Sequence, residues 1–203
     1  MNKKPAKGNY PLASVYGLFE WPLERLISGW RKPLLEKASG KVLEIGVGTG
    51  SNIPHYPEGL QITGIDFNHK MLSRAKKRYS HLSNVELLLM DTETLDFPDN
   101  SFDTVVVSFV FCSVEDPVRG FREIKRVCKN NGRILLLEHV RSQKPVLGKM
   151  MDFFNPLSAW LFKDHVNRNT LKNLQKADFP PNAIYEENLW LDIVKKIEIR
   201  NGK

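Results

Sequence analysis

The stretch Val42-Leu-Glu-Ile-Gly-Val-Gly-Thr-Gly50 decides the fold. A short apolar run carries one acid, Glu44, and then breaks into glycines at alternate positions, Gly46, Gly48 and Gly50. This is the pattern of a buried strand passing into a loop almost free of side chains, where a ligand can press against backbone N–H groups. Glu44, an acid inside an apolar strand, needs a partner. The dinucleotide fingerprint G-x-G-x-x-G/A shares Gly46 and Gly48, but Ser51 stands where its third small residue belongs. An acid ahead of the loop also suits a cationic ligand better than a pyrophosphate.

Working outward, Leu60–Ile65 reads as a second strand ending at Asp66, about 20 residues past the first glycine, where nucleotide-binding α/β folds hold ribose hydroxyls. A carboxylate there offers two acceptor oxygens to two neighbouring O–H donors. Val85–Met90 reads as a third strand, followed by Asp91 and Thr92. Residues 104–109 read as a fourth, with Asp103 bracing the turn before it. Acids at successive strand ends line one edge of a parallel sheet, the edge at which such folds bind ligands. The residues also have plainer readings: the glycines as a tight turn, Asp66 and Asp91 as helix N-caps, Phe67 as core.

The run from Val42 to Glu138 resembles the class I S-adenosylmethionine-dependent methyltransferases of the small-molecule branch. The matching stretches are Glu44–Gly50, Gly64-Ile-Asp66, Met90-Asp91, Phe97–Asp103 and Gly132–Glu138. The resemblance implies an α/β fold: a Rossmann-like, seven-stranded, mostly parallel sheet with an antiparallel closing strand and helices on both faces. It implies S-adenosyl-L-methionine as cofactor, with Glu44, Gly46, Gly48 and Gly50 around its methionine part and Asp66 on the ribose. Asp91 and Thr92 then lie near the adenine, Phe67 packs against it, and Ser108 to Phe111 border the methionine end. The closest groups are quinone-biosynthesis methyltransferases and bacterial phosphatidylethanolamine N-methyltransferases, with a related branch acting on alkyl thiols. Asn52–Pro57, Glu138-His139 and Arg168–Thr170 look more like the phospholipid group. The acceptor expected is therefore a phospholipid amine, a quinone precursor or a thiol. A nicotinamide-dependent oxidoreductase and a non-catalytic adenosylmethionine-binding module are the alternatives.

Ahead of the glycine loop, Leu12, Val15, Tyr16 and Phe19, then Leu23, Leu26, Ile27, Trp30 and Leu34, follow helical spacing. They suggest an amphipathic helical cover over residues 1–38, with Pro33 kinking or ending its second helix. The methyltransferase domain is then 39–203. Within it, 142–167 reads as a lid insertion over an apolar acceptor, because Val146, Leu147, Met150, Met151, Phe154, Leu157, Trp160 and Leu161 make a broad apolar face. Core packing is the competing reading. Asn169-Thr170 caps a helix through Ala177, 182–189 and 193–200 form the closing strand pair, and alternation in Val194–Arg200 suggests an edge strand. For proton transfer the candidates are His139 at the end of strand five, Tyr16 on the cover and His165 beyond the lid. His55 and His69 read as loop and helix-cap residues.

Composition bounds the rest. With 203 residues, 41% apolar and 26% charged, the chain fits one globular domain. Two cysteines, Cys112 and Cys128, suggest no disulfide framework and a reducing cytosol. No secretory signal or metal-ligand spacing is expected, so no metal. Thirty basic against 23 acidic residues are common enough to need no partner; peripheral contact with an anionic membrane is the alternative, and no aromatic-interleaved basic motif points to nucleic acid.

Overall fold

A computed structural model describes residues 27, 29–162 and 165–202, the side chains of 161 and 162 excepted. Seven strands form one sheet: β1 (Lys41–Ile45), β2 (Gln61–Asp66), β3 (Val85–Leu89), β4 (Phe102–Ser108), β5 (Cys128–His139), β6 (Ile184–Trp190) and β7 (Val194–Arg200). Their order is β3-β2-β1-β4-β5-β7-β6, with β7 antiparallel to both neighbours and the remaining pairs parallel. This is the expected Rossmann-like sheet. The helices are α1 (29–35), α2 (His69–Tyr79), α3 (Pro117–Val127), α4 (Pro145–Phe162) and α5 (Thr170–Lys176).

Side-chain alternation along β1 shows how both faces are filled. Leu43 and Ile45 join Phe121, Ile124 and Leu174 on the α3 and α5 face. Val42 turns the other way, into a cluster with Leu34 and Leu35 of α1. On that second face α2 places Leu72 and Ala75 against Val47 and Leu87. Burial on both sides explains why the central strands read as nearly continuous apolar runs.

Three local expectations need correction. Val194–Arg200 is an interior strand, and β6 is the edge, because β7 inserts between β5 and β6. Of the two readings of Pro33, kinking or ending its helix, the ending fails, because the helix continues to residue 35. Asn68, not His69, caps α2, its side chain accepting from the Lys70 and Met71 N–H groups. By contrast, Asn169 caps α5 as read, and Asp103 accepts from the Lys41 N–H and the Lys129 ammonium, bracing the start of β4. The basic run Arg74, Lys76, Lys77 and Arg78 forms a solvated face of α2, three of its charges in the last turn where they complement the helix dipole. Tyr16 and the helical spacing read over residues 12–26 lie outside the described residues.

Candidate active site

The carboxyl ends of β1, β2, β3, β4 and β5 converge on one edge, and the candidate site residues follow them. Gly46, Gly48 and Gly50 all adopt positive φ, +66°, +57° and +84°, but they serve different ends. A Cβ on Gly46 would stand 2.4 Å from a Val110 methyl, and one on Gly50 would stand 2.4 Å from the Tyr79 ring. At Gly48 the nearest atom is the Met71 methyl at 3.8 Å. Two glycines thus answer to the protein's own packing, while a Cβ on the third would meet its neighbours only at ordinary van der Waals distance.

Glu44 finds the partners its burial demands. Its carboxylate accepts from the Asn52 amide at 3.1 Å and the Tyr56 hydroxyl at 2.9 Å. The same Asn52 amide also donates to the Ser108 hydroxyl oxygen at 3.1 Å, tying the ends of β1 and β4 together. The Asn52 Oδ1 is buried and accepts no hydrogen bond from any described residue. Burial pushes the Glu44 carboxyl up to about 7, although Tyr56, Asn52 and the Arg31 charge all pull it down. Tyr56 is in turn raised well above its ordinary value, by burial and by the carboxylate it faces. In the sequence Asn52 and Tyr56 enter only as part of the Asn52–Pro57 turn, not as site residues. The signal was present in the expectation that Glu44 needs a partner.

Asp66, at the end of β2, accepts from the Gly48 N–H at 2.8 Å and the Asn68 N–H at 2.7 Å. Burial raises its carboxyl while those two N–H groups lower it. The first bond clamps the glycine loop to the second strand. Phe67, the next residue, is exposed. Past β3, Asp91 accepts from the Glu93 N–H in an exposed turn, and Thr92 is buried against Gly120 of α3.

The β4 end is strained. Phe109 has φ +55°, a left-handed conformation that costs a bulky residue about 1–3 kcal/mol. Two features hold it: its N–H donates to the Leu137 carbonyl, and the buried Glu138 carboxylate accepts from the Val110 and Phe111 N–H groups at 3.0 and 3.3 Å. Glu138 is therefore the brace of this turn. His139 ends β5 opposite Val194, half-buried at the same edge. The chain after α4 also returns here, since the His165 N–H donates to the Cys112 carbonyl at 2.9 Å. His139 and His165 are thus both brought to the ligand edge, while Tyr16 lies outside the described residues.

The apolar face of α4 is not core. Met151 is buried, whereas Val146, Met150, Phe154, Leu157 and Trp160 are exposed, as is Phe153. The helix is fixed by Arg141, whose guanidinium grips Asp152 through two parallel bonds of 2.9 and 2.7 Å.

A family model described as a methyltransferase domain matches residues 43–136. The chain is 43% identical over 156 residues to a phosphatidylethanolamine N-methyltransferase of Cereibacter sphaeroides, covering 72% of this chain and 77% of that one. It is 37% identical over 144 residues to a demethylmenaquinone methyltransferase of Thermotoga maritima, covering 65% of this chain and only 59% of the relative. Among solved structures it is similar to the YcgJ protein of Bacillus subtilis, with 28% identity and a TM-score of 0.65 over 82% of this chain and 70% of that one. The chain belongs to the class I S-adenosylmethionine-dependent methyltransferases. S-adenosylmethionine is its methyl donor and a small molecule its acceptor. The nicotinamide alternative falls with that assignment.

Proposed function

We propose that this enzyme methylates the amine of a phospholipid of the phosphatidylethanolamine type. The observation that carries the reading is the 43% identity to a phosphatidylethanolamine N-methyltransferase over three quarters of that protein. The exposed apolar helix beside the ligand edge supports an acceptor with acyl chains.

The residues at that edge suit the donor. The uncrowded surroundings of Gly48, with the end of the flexible Met71 side chain as nearest neighbour, leave its backbone approachable, and the buried Asn52 Oδ1 is an acceptor in want of an N–H. Glu44 and Asp66 supply negative charge to a cationic molecule and acceptors to its hydroxyl groups. In this reading Glu44, Gly46, Gly48, Gly50 and Ser108 surround the methionine part, Asp66 holds the ribose, and Phe67, Asp91 and Thr92 border the adenine. When bound, the donor supplies a methyl group already activated by a positively charged sulfur. The protein's work is to hold the amine in line, exclude water and remove a proton. A primary amine is protonated near neutral pH, so a base must free its lone pair. His139 takes that role, with Tyr16 and residues 1–38 as cover and 142–167 as the flanking insertion.

The test is incubation of the protein with methyl-labelled S-adenosylmethionine and vesicles with or without phosphatidylethanolamine. Label in chromatographically identified N-methylated lipid supports the reading. Transfer instead to a demethylated quinone or an alkyl thiol, offered in parallel, overturns it.

A further inference from the structure

Residues Val146, Met150, Phe153, Phe154, Leu157 and Trp160 fall within a stripe about 120° wide along α4, at 3.6 residues per turn. The inward side of the same helix is defined by Gly148, whose Cβ would meet the Ser142 carbonyl at 2.7 Å, by Met151 under the Ser142 N–H, and by Asp152 in the Arg141 grip. The two sides are almost diametrically opposed. The stripe therefore points away from the domain, and Phe153 and Trp160 are 78% and 79% exposed.

Its neighbours set the character of what would cover it. Lys149 borders the stripe and Lys144 precedes the helix, both exposed, while the helix's one described acid, Asp152, is bound to Arg141. At the N-terminal end, Asp192 of the β6–β7 turn accepts from the Ser142 hydroxyl and the Gln143 N–H. That turn exposes Trp190 and Leu191. Because β7 starts opposite the end of β5, the turn lies at the ligand edge of the sheet, as does the start of α4. The helix is about 27 Å long, and no helix among the described residues is long and apolar enough to cross a membrane. An outward apolar stripe with aromatic residues, flanked by lysines in a chain of net charge +7, matches a helix lying in the headgroup layer of an anionic bilayer.

We infer that α4, with the β6–β7 turn, is the surface by which the protein docks on an anionic phospholipid membrane, setting the ligand edge against the headgroups. The inference goes beyond the acceptor's identity, and docking is measured without donor or turnover.

The experiment is flotation of the full chain with vesicles of phosphatidylcholine alone or mixed equally with phosphatidylglycerol. The wild type should bind the anionic vesicles, more weakly in high salt and on the neutral vesicles. F153E/W160E should lose at least tenfold in partitioning while keeping its melting temperature and its affinity for S-adenosylhomocysteine. K144E/K149E, which leaves the apolar stripe intact, should also lose at least about 25-fold on the anionic vesicles, since each of the two lysines near such a surface is worth roughly fivefold. Absence of wild-type binding overturns the inference. Undiminished binding by F153E/W160E does so as well, because another surface, residues 1–26 included, then does the docking. Loss of fold or conversion of a dimer to a monomer in F153E/W160E would also overturn it, the stripe then being covered by the chain itself or by a second copy.

Discussion

Replacing Glu44 with glutamine should change how the stability of the cofactor-free protein depends on pH. In the fold the Glu44 carboxyl is raised from about 4.5 to about 7, chiefly by burial. The unfolded chain therefore releases this proton at a lower pH than the folded one. The stabilising contribution is complete below about 4.5 and is lost as pH rises through 7, a total of about 3 kcal/mol at 1.36 kcal/mol per pH unit. About 2.5 kcal/mol of it falls between pH 5 and pH 8. Glutamine has no proton to lose. Its oxygen can still accept from Asn52, and its NH2 can donate to the Tyr56 oxygen once that hydroxyl turns. For a chain of this length each kcal/mol is worth roughly 2–4 °C. The melting temperature of Glu44→Gln relative to wild type should thus rise by about 5–10 °C between pH 5 and pH 8. Scanning calorimetry over that range without cofactor is the assay. If Glu44 lies beside the methionine part as proposed, the α-ammonium of bound S-adenosylhomocysteine favours the ionised carboxylate, so the pH-dependent part of the difference should shrink. A difference constant within 2 °C (~1 kcal/mol) from pH 5 to 8 in the free protein would refute the argument.

Gly46→Ala and Gly48→Ala should separate folding from binding. The first drives a methyl into Val110 and should lower stability by about 2–4 kcal/mol in a urea titration, whereas the second has room and should cost about 1 kcal/mol while weakening S-adenosylhomocysteine binding. Asp66→Ala should weaken cofactor binding by about 1–3 kcal/mol by calorimetric titration, and unchanged affinity would remove Asp66 from the ribose. His139→Ala should leave cofactor affinity unchanged and lower turnover near neutral pH by about 10²–10⁴-fold, with part of the loss recovered at alkaline pH, where the free amine forms without the base. Full turnover in that variant would make His139 structural.

Much of the ligand edge was legible because its signals are local. A glycine at positive φ, an acid at a strand end and a capping asparagine each act on neighbouring backbone. Gly46–Gly50, Asp66 and Asn169 accordingly appear where the sequence puts them. The partners of Glu44 were less legible, because Asn52 and Tyr56 reach it only once the loop folds back over the strand. The error over β7 has a related cause. Alternation along Val194–Arg200 reports one strand's two faces, and it reads the same whether a further strand such as β6 pairs beyond it or not.

By itself, then, the sequence determined the sheet's period, the glycine loop and the acids at its carboxyl edge, since these depend on chain geometry over a few residues. Tertiary structure alone decided that Glu138 braces the strained Phe109 turn and that Glu44 shares Asn52 with Ser108. It also decided which way α4 faces. An apolar stripe records that a surface avoids water, but its direction was set by the Arg141–Asp152 pair and the packing of Gly148 and Met151, contacts made with chain that lies outside the helix.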